Sequence, residues 1–192
     1  MVAKTWASFY DSVCGNRKML EGNIMEHAPF IMEIVKRVKP GDRVLEVGSG
    51  TGVLGWPLAQ AGVKVVSVDN NPEILKMALV NAGILGADIE YREADAFHLP
   101  FLDREFKVAF SQGLLEHFSN EDIGLLIAEH QRVSDVVVVS MPIKGNNSPA
   151  FGNERYLTME EWEALLKLMG ACQGVIYGHE VCACFTFIRM VK

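Results

Sequence analysis

The sequence predicts an α/β three-layer sandwich, with a mostly parallel seven-stranded sheet, helices on both faces and a C-terminal antiparallel hairpin. Short apolar runs alternate with segments of helical periodicity, a pattern that is typical of parallel sheets. The last two runs are separated only by Gly-His-Glu at 178–180, which indicates an antiparallel pair. The predicted strands are 44–47, 63–69, 88–92, 106–111, 133–141, 175–177 and 181–190.

Residues 1–40 are predicted to form an N-terminal helical cap on this sheet. The segment 5–20 has aromatic residues and a basic end, which indicates a short amphipathic helix. Asn23 is the expected N-cap of a second helix, because apolar residues recur at helical spacing from 24 to 38. The turn-type sequence Pro-Gly-Asp at 40–42 is expected to end that helix.

The first strand runs into glycines at every second position, Gly48, Gly50 and Gly52. Glycine allows close approach to the backbone or a positive φ angle, and both are common where a ligand is bound. A helical pattern follows over 53–61. A strand, a glycine-rich turn and a helix N-terminus together predict a site for a polar ligand.

Two ligands fit this loop. Gly50-x-Gly52-x-x-Gly55 matches the pattern for a nicotinamide dinucleotide. Glu46, just before the first glycine, would repel a pyrophosphate, but it suits the sulfonium and ammonium cations of S-adenosylmethionine. A turn that binds no ligand is a third interpretation, which the loss of strand stability at three glycines disfavours.

The segment 46–52 resembles the first motif of class I S-adenosylmethionine-dependent methyltransferases, acid-x-Gly-x-Gly-x-Gly. It reads Glu46-Val47-Gly48-Ser49-Gly50-Thr51-Gly52, without departure. The resemblance implies that 1–192 is a single methyltransferase domain, with a Rossmann-like core over 41–192. It also implies S-adenosylmethionine as cofactor and S-adenosylhomocysteine as product, and it places Glu46, Gly48, Ser49, Gly50 and Gly52 at the cofactor.

The second strand ends at Asp69, about 20 residues past the first glycine, where related folds present a carboxylate to ribose hydroxyls. The alternative is that Asp69 caps the next helix. Asn71-Pro72-Glu73 already supplies a cap, a first-turn proline and an early acid, which favours a ligand role for Asp69. Asn70 follows where many methyltransferases of this kind have an apolar residue facing the adenine.

The third strand is followed by Asp95, Ala96 and Phe97. The resemblance implies that the Asp95 carboxylate accepts from the adenine amine and that the backbone at Ala96 contacts the ring edge. Phe97 has two interpretations, packing on the adenine face or packing in the core.

The segment after the fourth strand contains Gln112, Glu116 and His117. The resemblance implies that this segment lines the methyl-transfer site, with Gln112 facing the methionine part of the cofactor. His117 can act as a general base near neutral pH, and we predict that Glu116 and His117 are catalytic. The alternative is structural, with His117 packed between its apolar neighbours and Glu116 anchoring a hydrogen bond.

The long connection over 143–157 leaves the carboxyl end of the fifth strand, where open α/β sheets bind ligands. Asn153, Arg155 and Tyr156 are predicted to bind the substrate, together with Tyr10 from the N-terminal segment. The alternative interpretations are a solvated loop and simple packing of the N-terminal aromatic residues.

Composition limits the partners. The formal net charge of −6 argues against nucleic acid or an anionic membrane. No apolar run is long enough for a membrane span or a signal peptide, so a cytoplasmic protein is expected. The spacing of Cys14, Cys172, Cys182 and Cys184 is not that of a zinc site, and no metal is expected. Cys182 and Cys184 share one face of a predicted strand, where buried reduced thiols are expected. A soft-metal pair at Cys182 and Cys184 is the minor alternative.

The predicted function is methyl transfer from S-adenosylmethionine to a small-molecule acceptor, with alignment of the reactants supplying most of the rate. A nicotinamide-nucleotide-dependent oxidoreductase is the first alternative, but it needs a site for a hydride acceptor that the sequence does not supply. A non-catalytic S-adenosylmethionine-binding protein is the second alternative, since binding and catalytic residues are separable.

Overall fold

The computed structural model describes residues 5–13, 16–145, 153–177 and 182–188. The strands are β1 Arg43–Val47, β2 Lys64–Asp69, β3 Ile89–Glu93, β4 Phe106–Gln112, β5 Ser134–Pro142, β6 Gln173–Tyr177 and β7 Cys182–Ile188. The helices are α1 Trp6–Val13, α2 Arg17–Glu26, α3 Ala28–Val35, α4 Trp56–Gln60, α5 Pro72–Leu85, α6 Asn120–Val133 and α7 Met159–Leu168. A short 3-10 helix, Leu115–His117, follows β4.

The seven strands form one sheet in the order β3-β2-β1-β4-β5-β7-β6. β1 to β5 pair in parallel, whereas β7 is antiparallel to both β5 and β6. This confirms the predicted fold class. The strand order reverses between β1 and β4, and such a switch point opens a crevice at the carboxyl ends of the strands.

Alternate residues of the central strands enter separate apolar clusters on the two faces of the sheet. Val108 and Val138 pack with α2 and α3 residues such as Phe30 in one cluster. Val137 and Val139 pack with α6 and α7 residues in another, which includes the fully buried Trp162. The continuous valine run of β5 is therefore explained by burial on both faces.

The predicted helix beginning at Asn23 is wrong. Asn16 is the N-cap of α2, its side chain accepting from the Met19 N–H, and Asn23 lies inside that helix. The chain breaks at His27, and Pro29 lies in the first turn of α3. Because proline has no N–H to continue the hydrogen-bond ladder, two helices form where one was predicted.

The helix after the glycine loop is shorter than predicted. It spans Trp56–Gln60 rather than 53–61, and turns occupy the residues just before it. Other boundaries were predicted well, including the Asn71 N-cap of α5 and the Thr158 capping box of α7. Among the described residues, no helix is long and apolar enough to cross a membrane. The turn at 178–180 lies outside the described residues.

Candidate functional site

Two adjoining cavities lie at the carboxyl ends of the central strands. The smaller cavity has a volume of about 290 Å³ and the larger cavity about 580 Å³. Asp69, Asp95 and Phe97 line only the smaller cavity, whereas Gln112 and Glu116 line only the larger one. The residues that line both are Trp6, Tyr10, Gly48, Gly50, Gly113 and His117.

Gly50 and Gly52, in the loop after β1, are packed against different parts of the protein. At Gly50, with φ of +49°, an added Cβ would lie 2.7 Å from the Tyr10 hydroxyl oxygen. Gly50 thus lets α1 close over the loop while its backbone faces both cavities. At Gly52 the added Cβ would lie 2.3 Å from Cβ of Ala78 in α5. Gly52 lines neither cavity, so its assignment to the cofactor is corrected to close helix packing.

Asp69 ends β2 and lines the smaller cavity. Its Oδ1 accepts from the Asn71 N–H at 2.9 Å, and its Oδ2 lies 3.5 Å from the Gly50 nitrogen. Burial raises the pKa of this carboxyl, while the N–H groups of Asn71 and Gly50 oppose that rise. Asn71 caps α5 with its own side chain, as predicted. Asp69 therefore joins the glycine loop to the α5 entry and still presents an acceptor to the cavity.

Asp95 and Phe97 form the opposite wall of the smaller cavity, with Ala96 between them. The Asp95 carboxylate accepts from the Phe97 N–H at 2.9 Å, which lowers its pKa, and its side chain is 53% exposed. Phe97 meets Phe118 edge to face at 5.4 Å between ring centroids and packs on the core. Phe97 therefore packs on the core and also lines the cavity, and its contact with the adenine stays a prediction.

Asn70 lines the smaller cavity next to Asp69, beside two apolar residues that sequence reasoning missed. Ile74 and Leu114 supply that apolar surface. Ile74 lies in the first turn of α5, five residues after Asp69. An apolar residue so soon after that carboxylate is the sequence feature that could have indicated its role. The apolar residue missing at Asn70 is therefore supplied from the next helical turn.

Glu46 is 3% exposed and accepts from the Ser67 hydroxyl at 2.6 Å. Burial raises its pKa to about 7; the Ser67 hydrogen bond opposes the rise and the Asp69 carboxylate adds to it. The residue lines the larger cavity, together with Ser49 of the loop. Its carboxylate is therefore held against β2 by the Ser67 hydroxyl, and its contact with the cations of the cofactor stays a prediction.

His117 lies between the two cavities. Its Nδ1 is 2.7 Å from Oδ1 of Asn153, and its ring meets Trp6 edge to face at 5.0 Å. Because an amide oxygen only accepts, this orientation places a proton on Nδ1 and leaves Nε2 as the basic atom of the neutral ring. The Asn153 contact is thus the kind of positioning that a general base needs.

Glu116, the neighbour of His117, is 3% exposed and lines the larger cavity. Its Oε2 has no hydrogen-bond partner within the described part of the chain. Burial raises the pKa of this carboxyl to about 8, and Glu154 acts in the same direction. The structural alternative, in which Glu116 anchors a hydrogen bond through its carboxylate, therefore leaves this oxygen unexplained.

The predicted substrate residues separate into two groups. Tyr10 and Tyr156 line the larger cavity, and Asn153 lines the smaller one. Arg155 lines neither, because its guanidinium donates to the Phe118 carbonyl and to Oδ1 of Asn120. Its predicted role in substrate binding is therefore corrected. Arg155 instead holds the connection between β5 and α7 against the residues that follow the 3-10 helix.

The described cysteines differ in their exposure. Cys182 and Cys184 are buried on β7, as predicted, Cys172 is exposed, and Cys14 lies outside the described residues. Within 5–13, 16–145, 153–177 and 182–188, no group of three or more His, Cys, Asp or Glu residues is arranged to hold a metal ion.

Comparison with known proteins gives concordant matches. Residues 44–135 match the family model described as a methyltransferase domain. An uncharacterized protein from Mycobacterium tuberculosis is 32% identical over 125 residues, which cover 65% of this chain and 42% of that protein. The ubiquinone biosynthesis O-methyltransferase of Brucella anthropi is 31% identical over 83 residues, 43% of this chain and 34% of the enzyme. The chain thus spans less than half the length of these relatives.

A solved structure also resembles this one along most of its length. Magnesium protoporphyrin IX methyltransferase from Synechocystis PCC 6803, with bound S-adenosylhomocysteine, superposes with a TM-score of 0.71 at 17% identity. The match covers 96% of this chain and 93% of that one. At this identity, the likeness establishes the fold.

Proposed function

Since residues 44–135 belong to the methyltransferase-domain family, we propose that the chain transfers a methyl group from S-adenosylmethionine to a small-molecule acceptor. The observation that carries the proposal is the junction of the two cavities at Gly50, Gly113 and His117. A cofactor in one cavity and an acceptor in the other would meet there. Such alignment is the main requirement of a displacement between two bound reactants.

The smaller cavity fits the nucleoside part of the cofactor. Asp69 and Asp95 present carboxylates to hydroxyl and amine donors, and Ile74 and Phe97 supply apolar surface for a ring. Gly50, whose φ is +49°, lines both cavities, so its backbone is open to a ligand. When bound there, S-adenosylmethionine supplies a methyl group on a cationic sulfur, which keeps the electron pair of the broken carbon–sulfur bond.

The larger cavity is assigned to the acceptor and, along Glu46, Ser49 and Gln112, to the methionine part of the cofactor. His117 faces it with Nε2 as the basic atom, and Asn153 holds the ring through Nδ1. We infer that Nε2 takes the proton that a hydroxyl, thiol or amine acceptor loses on methylation. Trp6 and Tyr10 line both cavities from α1, where they limit the access of water to the junction.

The oxidoreductase alternative is disfavoured by charge. A dinucleotide would place its pyrophosphate beside the glycine loop, where Glu46 and Asp69 are acidic. No Lys or Arg lines either cavity among the described residues. A cytoplasmic location, and the absence of nucleic-acid or membrane partners, stay predictions from composition.

Methyl-labelled S-adenosylmethionine, incubated with the chain and pools of small acceptors, tests the proposal. We expect label in at least one acceptor, and a much lower rate with His117→Ala. Binding of S-adenosylhomocysteine without transfer to any pool would support the non-catalytic alternative. Binding of NAD but not of S-adenosylhomocysteine would support the oxidoreductase.

A further inference from the structure

The larger cavity has an unusual balance of charge. Glu26, Glu46, Glu116 and Glu154 all line it, and no Lys or Arg does so among the described residues. Carboxylates that share one cavity favour a cation that enters among them, and Glu154 raises the pKa of Glu116. The larger cavity should therefore prefer cationic ligands to neutral or anionic ones.

Glu116 is the member of this group with a buried oxygen that lacks a hydrogen-bond partner among the described residues. It is almost completely buried, it lines the cavity, and its Oε2 accepts no hydrogen bond within the described residues. A buried carboxyl oxygen without a donor is costly, and in native structures such a group calls for a specific explanation. A ligand that carries N–H donors supplies the missing partner.

The guanidinium of the adjoining Arg155 does not pair with the Glu116 carboxyl. The Arg155 N–H donates to the Glu116 carbonyl at 2.9 Å, which places the two residues side by side. The Arg155 guanidinium nevertheless donates to Phe118 and Asn120, and the described residues contain no ion pair to Glu116. The acidic carboxyl is thus left for something that enters the cavity.

The walls around these carboxyl groups are aromatic. Trp6, Phe9 and Tyr10 from α1 and Tyr156 from the connection to α7 line the larger cavity. Aromatic faces attract cations, and the attraction is stronger in a desolvated site. Aromatic surface combined with acid is the usual chemistry by which proteins recognise an ammonium group.

We propose that the methyl acceptor carries an ammonium group, and that Glu116 binds this group in the larger cavity. The proposal rests on the proposed function and names its substrate class. Glu116 is assigned this role rather than Glu46, whose carboxylate is bonded to Ser67, and rather than Glu26, which is exposed at the rim. Glu154 adds negative charge near the same point.

The pKa of Glu116 should fall when an ammonium group binds beside it. Burial, with Glu154 acting in the same direction, favours the neutral carboxylic acid. An ammonium group in contact with the carboxyl favours the ionised form and lowers that pKa. The methionine ammonium of the cofactor is a competing candidate for the same contact, so cofactor affinity has to be measured alongside acceptor affinity.

Three phenylalkyl probes of similar size test the charge preference: phenethylamine, 2-phenylethanol and 3-phenylpropanoate, which are cationic, neutral and anionic. Each is titrated by calorimetry into the full chain saturated with S-adenosylhomocysteine. We expect the amine to bind at least about tenfold more tightly than the alcohol, with the carboxylate weakest. Equal or tighter binding of the alcohol or the carboxylate, or no binding of the amine, would overturn the proposal without any variant.

Glu116→Gln assigns the preference to one residue, and Glu121→Gln is its matched control. Glu121 is an exposed carboxylate in the first turn of α6 and lines neither cavity. We expect Glu116→Gln to reduce the amine-to-alcohol preference to within about threefold, because the charge-assisted contact is lost, while Glu121→Gln keeps it. A preference that survives Glu116→Gln would overturn the assignment.

The affinity for S-adenosylhomocysteine shows whether a negative result contradicts the proposed function or only the role of Glu116. We expect Glu116→Gln to bind it like the wild-type chain. An equal loss of affinity for S-adenosylhomocysteine and for the amine would place Glu116 at the methionine ammonium and end the proposal. If the wild-type chain does not bind S-adenosylhomocysteine at all, the proposed function itself fails; if it binds without preferring the amine, only this inference fails.

Discussion

Replacing Glu116 by glutamine should change how the stability of the protein depends on pH. Burial moves the pKa of Glu116 from 4.5 to about 8, so the folded state binds this proton more tightly than the unfolded chain does. The stability is therefore fully present below pH 4.5 and falls as the pH rises from there toward 8. At about 1.4 kcal/mol per pH unit, the unfolding free energy loses about 3 kcal/mol between pH about 5 and about 7.5.

Glutamine has nearly the same shape and does not titrate. In urea unfolding without ligand, the stability difference between Glu116→Gln and the wild type should grow by about 3 kcal/mol over that pH interval, in favour of the variant. Glu46, with its pKa near 7, and His27, with its pKa near 4, titrate equally in both proteins and cancel. Glu121→Gln should show a constant difference.

A constant difference for Glu116→Gln as well would refute this reasoning. It would mean that the Glu116 carboxyl is hydrated or already paired in solution. The unpartnered Oε2 would then no longer point to a ligand, and the inference drawn from it would lose its main support.

Three further predictions concern the glycine loop after β1 and the general base His117. Gly52→Ala should destabilise the fold by about 2–4 kcal/mol in urea unfolding, since its Cβ would meet Ala78 at 2.3 Å with φ at +71°. Gly50→Ala should do so less, and Tyr10→Phe should partly restore its stability; no restoration would show that the hydroxyl contact is unimportant. His117→Ala should lower kcat by about 10²–10⁴-fold with S-adenosylhomocysteine affinity nearly constant, and a full-rate variant would exclude the general base.

Much of the fold follows from local patterns in the sequence. The valine run at 136–139 is apolar on both faces because both faces are buried, and this pattern is visible in the sequence. Asp69 was placed correctly because the end of a parallel strand fixes which edge of the sheet its carboxylate occupies. The break before α3 also had a local signal in Pro29, which the continuing helical periodicity concealed.

The features of the site that the sequence does not reveal depend on contacts between distant segments. Glu46 is paired in register with Ser67 of β2, so the direction of its carboxylate depends on strand pairing and not on the loop motif. Gly52 has the spacing of a ligand-binding glycine, but its space is used by α5. The guanidinium of Arg155 is bonded to residues about 35 positions away, which a loop sequence does not encode.

The most direct test of the central claim is calorimetry of S-adenosylhomocysteine with the wild-type chain and with Asp69→Ala. We predict binding to the wild type, and a loss of about 1.5–3 kcal/mol in the variant because charge-assisted hydrogen bonds are removed. Asp88→Ala, which removes an exposed carboxylate outside both cavities, should bind like the wild type. A wild-type chain that does not bind, or a folded Asp69→Ala variant with unchanged affinity, would contradict the assignment of the smaller cavity to the cofactor.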